Sequence, residues 1–376
     1  MNFHIKEGLF IMKNMIICLG GAGNNCAKEI IVSDKLEGVD VYAIDSVTSN
    51  IDMDSIGDIK FISIVSDEHE GSGRDRARSQ AMYEFHESNG DFDELYKASE
   101  NAKSPVIVIT SAAGGTGSGS CVPLCKALID RNVQVIPIII CPNKNDPMAF
   151  HLNTNDLLIE LGELDIKTYS VFENYKPGAD YAATNKEIIT FIEIILGRRY
   201  TKTSLDSIDD SDLNNIIKWP GRIMAFVAEG TSVEATSREI IRKAYSSSQP
   251  GWGDNINNST IMTAFSLKSM FADTDHDAVF SELRSRFNKN SVFDEYRNIV
   301  VDDNDGKLTA TVIIAGLPSP AVKDINTEFK QANGLGDGRK KSHRPSFITA
   351  RKATISEVPA GDNEDAQKVI KRFKFE

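Results

Sequence analysis

The sequence contains no GK[ST] tripeptide, no CxxC pair, only two tryptophans and no apolar run long enough to cross a bilayer. Each absence removes a class of protein. Without GK[ST] there is no Walker A loop, so the commonest design for holding a triphosphate is not in use. The five cysteines, Cys18, Cys26, Cys121, Cys125 and Cys141, are odd in number and lie in or beside apolar runs. They read as buried free thiols in a reducing compartment, not as disulfides or a zinc site. The opening stretch MNFHIKEGLFIMKNMIICLGG is interrupted by charges and supplies neither a signal-peptide core nor a membrane span. The expectation is a cytoplasmic protein without a membrane partner. Met12 and Met15 directly precede the first strand-like run, so the residues before them read as an extension or an early start. A formal net charge of −12 excludes broad, sequence-independent contact with nucleic acid.

What is present is enough for two domains: 376 residues, 41% of them hydrophobic. The first half alternates β-branched runs (NMIICL, VDVYAI, IKFISIV, PVIVIT, VQVIPIIIC, TYSVF) with amphipathic ones (NNCAKEIIV, RDRARSQAMYEFHES, GSCVPLCKALIDR, TNDLLIELGEL). Near-continuous Val/Ile strands separated by helices predict a mostly parallel α/β sheet covered on both faces, with any ligand outside the carboxyl ends of the strands. NKEIITFIEIILGRRY then spaces Ile188, Phe191, Ile192 and Ile195 on one face, with Ile189 and Leu196 beside them, which predicts a long, mostly buried central helix. From Arg222 onward strands dominate, with one helix in SVEATSREIIRKAYS, a smaller α+β unit. The expected division is 1–180 for the first domain, 181–205 for the central helix, 206–316 for the second domain and 317–376 for a C-terminal helix and tail.

Three glycine-rich stretches precede helices in the first half. TSAAGGTGSGS places Gly114, Gly115, Gly117 and Gly119 in six positions, with Thr116 and Ser118 among them. Glycine permits positive φ and close approach to the main chain, and a following helix offers unpaired N–H groups at its positive end. Such a stretch suits a di- or triphosphate; a tight turn with no ligand accounts for one or two glycines. LGGAGNN, from Leu19 to Asn25, is a near miss to the dinucleotide fingerprint G-x-G-x-x-G, fitting only its first glycine. EGSGRDR supplies Gly71, Ser72 and Gly73.

The stretch Ala113 to Gly119, AGGTGSG, resembles the signature of the tubulin and FtsZ superfamily at every position, and further motifs follow in the superfamily's order over roughly 14–316. The resemblance implies a Rossmann-like GTP-binding domain, a long central helix and a smaller α+β domain. It implies GTP or GDP with Mg2+ as ligands, and a GTPase that assembles head to tail with copies of itself. Gly20, Gly21, Ala22 and Gly23 would give backbone contacts to phosphate and Asn25 a side-chain contact. Asp45, in YAIDS, would lie near the magnesium; Gly71, Ser72 and Gly73 would sense the γ-phosphate. Tyr181 and Asn185 resemble the aromatic that stacks on guanine and the amide that reads its edge, and Asn174 would add a ribose or base contact. Asp209 and Asp212, in SIDDSDLNNII, match the catalytic pair, which in this superfamily reaches the nucleotide of the next subunit. Carboxylates suit that task, because water attacking the γ-phosphate must be oriented and polarised. The same residues also read as an acidic N-cap of the LNNII helix.

The sequence departs from FtsZ where that family carries an arginine-rich, ribose-holding segment, since no arginine occurs between Arg131 and Arg198. From Leu335 to Glu376 it has ten Lys or Arg against six Asp or Glu, including GRKKSHR and KVIKRFK. Such clusters suit DNA, a DNA-bound adaptor, the acidic body of another subunit, or solvent alone. These features look most like TubZ, the plasmid and phage branch that forms filaments to segregate DNA. A cell-division FtsZ, a Rossmann-type oxidoreductase with Asp45 ending the second strand, and a nucleotide-bound protein that neither hydrolyses nor polymerises remain alternatives.

Overall fold

Asn14–Leu19 (β1) and the apolar part of Lys103–Ser111 (β4) are buried on both faces, as the continuous NMIICL and PVIVIT runs require. In the computed structural model they are adjacent, parallel strands. The structure describes residues 12–47, 58–65, 71–143, 145–174, 181–199, 208–246, 249, 261–269, 281, 292–301 and 307–317. The basic clusters and the rest of the expected tail lie outside them. The described residues fall into two compact units, 12–199 and 208–317.

The first unit is a parallel sheet ordered β3-β2-β1-β4-β5-β6, with β2 at Asp40–Asp45, β3 at Ile59–Ser63, β5 at Val135–Cys141 and β6 at Thr168–Glu173. Helices α1 (Gly20–Ile31), α2 (Arg76–Ser88), α3 (Asp93–Glu100), α4 (Thr116–Asp130), α5 (Met148–Leu161) and α6 (Tyr181–Ile195) join or follow them. The order reverses between β1 and β4: the chain leaves β1 toward β2 and leaves β4 toward β5. At such a switch point the connections diverge and open a crevice at the carboxyl ends of the strands. Two expectations shift in detail. The LGGAGNN stretch is not a loop, because α1 begins at Gly20, whose φ of +67° turns the chain straight from strand into helix. The sequence reading also missed α3, a short helix tied to α2 by the Tyr83–Tyr96 hydroxyl pair at 2.7 Å and by Tyr96 donating to Glu87.

The face predicted for the central helix is the buried one: Ile188, Phe191 and Ile192 have no exposure, and Phe191 meets Phe172 of β6 edge to face at 5.7 Å. The same helix carries Glu193, 5% exposed. Its carboxylate accepts from Arg199 Nε at 2.7 Å and from Ser33 Oγ, just past α1, at 3.1 Å. All five cysteines are free, and four are buried. Burial first and Glu29 second push the Cys26 thiol up to about 12.

The second unit has α7 (Asp210–Ile217), β7 (Gly221–Gly230), α8 (Val233–Ser246), β8 (Ile261–Ser269), β9 (Val292–Val301) and β10 (Leu308–Leu317). Its strands run in the order β7-β10-β8-β9; β10 is antiparallel to both neighbours and β8 is parallel to β9. The unit is α+β, as expected from its run of strands.

Removing the Glu193 carboxylate leaves Arg199 unpaired at a site with little water. Glu193→Ala should therefore cost about 2–3 kcal/mol in urea unfolding, and Glu193→Gln, which keeps acceptor and shape, clearly less.

Candidate functional site

The two helices that start at the switch point nearly touch. A Cβ on Gly20 would sit 2.9 Å from the Gly117 backbone nitrogen, so the N-termini of α1 and α4 converge on one spot. Neither helix has a side-chain cap or an acid in its first turn, which leaves their first N–H groups for another acceptor. Thr116, Gly117, Ser118 and Gly119 are the first turn of α4, and Gly20, Gly21, Ala22 and Gly23 that of α1. Gly21 is exposed and Ala22 half-buried.

Most of the glycines are demanded by the protein's own packing. A Cβ on Gly115 would lie 2.7 Å from Arg74 Cα, one on Gly117 would meet Thr110 Oγ1 at 2.7 Å, and one on Gly119 would meet Ser79 Cβ at 2.7 Å. Gly23 packs on the Cys18 and Ile109 backbone at 3.0 and 3.1 Å. Close packing thus explains three of the four glycines in AGGTGSG, more than the one or two expected of a ligand-free turn. Gly114 differs: a Cβ there would meet no described residue within 4 Å, so its openness is not required by packing among them.

A buried polar network joins the glycine stretches. Asn24, 3% exposed, donates from Nδ2 to Asp45 Oδ2 at 2.7 Å, and the Ser46 amide donates to Asp45 Oδ1 at 2.8 Å. Ser46 Oγ lies 2.6 Å from Thr116 Oγ1, which is 3.1 Å from Ser72 Oγ. The Gly71 amide donates to the Ser46 carbonyl at 2.9 Å. Gly71 and Gly73 take φ of +83° and +60°, and Arg74 follows at +67°. From α5, Asn153 Nδ2 donates to the carbonyls of Arg74 and Ala113, each at 3.1 Å. Arg76 pairs with Glu160 at 2.8 Å and donates to the Ser118 carbonyl at 3.3 Å. Asn24, Ser46, Asn153 and Arg76 escaped the sequence reading. Asn24 stands beside Asn25, and its burial is the distinguishing signal; Asn25 itself is exposed.

Tyr181 opens α6 and is 65% exposed, with its ring free to stack. Asn185, one turn on, donates from Nδ2 to Glu29 of α1 at 3.2 Å, and Cys26 Sγ donates to its Oδ1 at 3.6 Å. Asn174 follows β6, its amide donating to the Cys141 carbonyl at 2.9 Å. Asp45, Ser72, Thr116 and the glycine stretches are thus joined to one another at the end of the sheet where the topology opens its crevice, while Asn185 is tied to α1 and Asn174 to the end of β5. No cluster of three His, Cys, Asp or Glu able to hold a metal occurs among the described residues. A divalent cation here would rest mainly on phosphate oxygens and water, the usual habit of magnesium, with Asp45 the nearby carboxylate.

In the second unit, Asp209 Oδ1 accepts from the amides of Ser211 and Asp212 at 2.7 and 2.9 Å, and Asp212 Oδ2 accepts from the Asp209 amide at 3.1 Å. This reciprocal capping box at the start of α7 realises the N-cap alternative and accounts for both residues without chemistry. Asp209 is exposed and Asp212 half-buried.

No family model matches the sequence, and no curated protein matches it. Solved structures do match. A GTPγS-form protofilament of Bacillus thuringiensis serovar israelensis TubZ superposes with a TM-score of 0.68 at 16% identity, covering 86% of this chain and 94% of that one. CetZ2 from Haloferax volcanii, a GTPγS-bound protofilament, gives 0.66 at 16% over 86% and 98%. An FtsZ dimer from M. jannaschii gives 0.63 at 17% over 84% and 91%. The chain has the α/β fold shared by these three proteins.

The glycine geometry separates packing from ligand contact. Gly115→Ala should fail to fold or lose several kcal/mol, since a Cβ collides with backbone, whereas Gly114→Ala should stay within about 0.5 kcal/mol of wild type by thermal unfolding.

Proposed function

We propose that this protein binds and hydrolyses GTP and polymerises head to tail into filaments. The observation that carries the reading is the convergence of two uncapped helix N-termini, beside an open Gly114, at the switch point of a parallel sheet. Amides of both first turns would hold the phosphate chain, and the Thr116 and Ser72 hydroxyls would lie alongside it. Tyr181 would stack on the base, with Asn25, Asn174 and Asn185 supplying polar contacts. Asn185 would have to share its amide between Glu29 and the guanine edge. Bound magnesium would offset charge on the phosphate oxygens, with Asp45 held ready by Asn24 and the Ser46 amide.

Asp209 and Asp212 would serve the nucleotide of the adjacent subunit in a heterologous, non-closing contact, orienting the attacking water. Each carboxylate gives one oxygen to the capping box, so the other is the one available for that work. The TubZ and CetZ2 structures named above are protofilaments with GTPγS, which supports the self-association and the choice of guanine. The finer reading is the TubZ branch, with plasmid or phage DNA as cargo in a prokaryotic or phage-infected cytoplasm. Its basis is the basic segment after Leu335, which would engage DNA or a DNA-bound adaptor. A cell-division role is the second reading.

High-speed sedimentation with and without GTP, read with phosphate release over a range of protein concentrations, tests the proposal. GTP should drive the protein into the pellet, and the rate per subunit should rise above a critical concentration. The acids are tested as Asp209→Asn with Asp212→Asn, because Asn caps a helix as well as Asp does while lacking the charge. That variant should bind GTP and pellet, with phosphate release down about 100-fold. Unchanged release would remove the catalytic assignment and leave capping as the role of both residues.

A further inference from the structure

Arg74 stands out in the third glycine stretch. Its φ of +67° is a left-handed conformation that a long side chain adopts at a cost of about 1–2 kcal/mol, and glycine, its neighbour on one side, adopts freely. The surroundings hold it there. Gly115 has no Cβ, which leaves room for Arg74 Cα; Asn153 binds the Arg74 carbonyl at 3.1 Å; and the Asp75 amide closes a turn on the Ser72 carbonyl at 3.0 Å. The guanidinium lies 4.8 Å above the Phe150 ring of α5 and forms no ion pair with any described residue. Stacking occupies only the faces of a guanidinium, so its five N–H donors still point outward in the plane.

The loop that presents this cation is bonded directly to the phosphate cradle. Ser72 reaches Thr116, and Asn153 joins the Arg74 carbonyl to those of Ala113 and Gly114, the last at 3.4 Å. Two more arginines, Arg76 and Arg78, follow at the start of α2, although cations oppose the dipole at that end of a helix. The Asp75 carboxylate at the N-cap, accepting from the Arg78 amide at 3.1 Å, offsets part of that opposition. Arg76 is committed to Glu160 and the Ser118 carbonyl, whereas the Arg74 guanidinium has no hydrogen bond or ion pair to any described residue and its carbonyl shares Asn153 with that of Gly114.

We propose that Arg74, oriented by stacking on Phe150, donates to the terminal phosphate of a bound nucleoside triphosphate and so makes the site prefer triphosphate over diphosphate within a single subunit. This deepens the GTP-binding reading above and rests on it. The decisive variant is Arg74→Gly, because glycine takes φ of +67° without strain and removes only the side chain. It should fold at least as stably as wild type, lose about 10-fold in affinity for GTPγS and keep its affinity for GDP, as expected of one charge-assisted contact confined to the third phosphate. Arg74→Lys should recover part of the loss. Equal affinities of wild type and Arg74→Gly for GTPγS, or equal losses for GTPγS and GDP, would overturn the assignment while leaving the GTP-binding reading in place. Wild-type protein that binds neither nucleotide would overturn both.

Discussion

The site depends on one close approach, that of the α1 and α4 N-termini at Gly20 and Gly117. A side chain at Gly20 would strike the α4 backbone, and one at Gly117 would strike Thr110 of β4 and the Leu19 carbonyl at the end of β1. The approach follows from the sheet order: β1 and β4 are neighbours, and their following helices leave in opposite directions. Two positive helix ends set side by side repel each other weakly. That arrangement is tolerable because the unpaired N–H groups of both ends are available to one anion.

Around that approach the polar groups are buried, and burial makes their pairing compulsory. Asp45 is 2% exposed and leans on Asn24 and the Ser46 amide; Thr116 links Ser46 to Ser72; Asn153 fastens the third glycine stretch to the fourth strand's exit. Hydroxyl chains of this kind are directional, so a phosphate that draws a hydrogen bond from Thr116 would be felt at both serines. The strain at Arg74 is held by the same set of contacts. Asn24 Oδ1 and Arg76 Nε are the buried atoms of this network with no hydrogen-bond partner among the described residues; glycine packing and the remaining hydrogen bonds hold the cradle in shape, which is what binding a flexible triphosphate demands.

Several residues serve two ends at once. Asp209 and Asp212 cap α7 and also match a catalytic pair; Asn185 holds Glu29 and also matches a base reader. A role in local stability does not compete with chemistry when each group has a second lone pair or a second donor to offer. It does dictate how the roles must be separated, since deleting a cap alters the helix as well as the charge.

The sequence by itself determined the α/β class, the buried face of the central helix, the free thiols and the three glycine stretches that gather at one sheet edge, because periodicity and glycine density are local signals. It also carried a resemblance to the tubulin and FtsZ superfamily, and the α/β fold that the resemblance implies is the one shared with the solved structures at 16–17% identity. Only the tertiary structure decided why Gly20, Gly23, Gly115, Gly117 and Gly119 carry no side chain, that Asn24 and not Asn25 is the buried partner of Asp45, and that Asn153 and Arg76 belong to the same assembly. The hydrogen bonds among those facts join residues 21 to 84 positions apart and the Gly20–Gly117 approach joins residues 97 apart, and no local pattern of residue types encodes which distant backbone a Cβ would strike or which carboxylate an amide will meet.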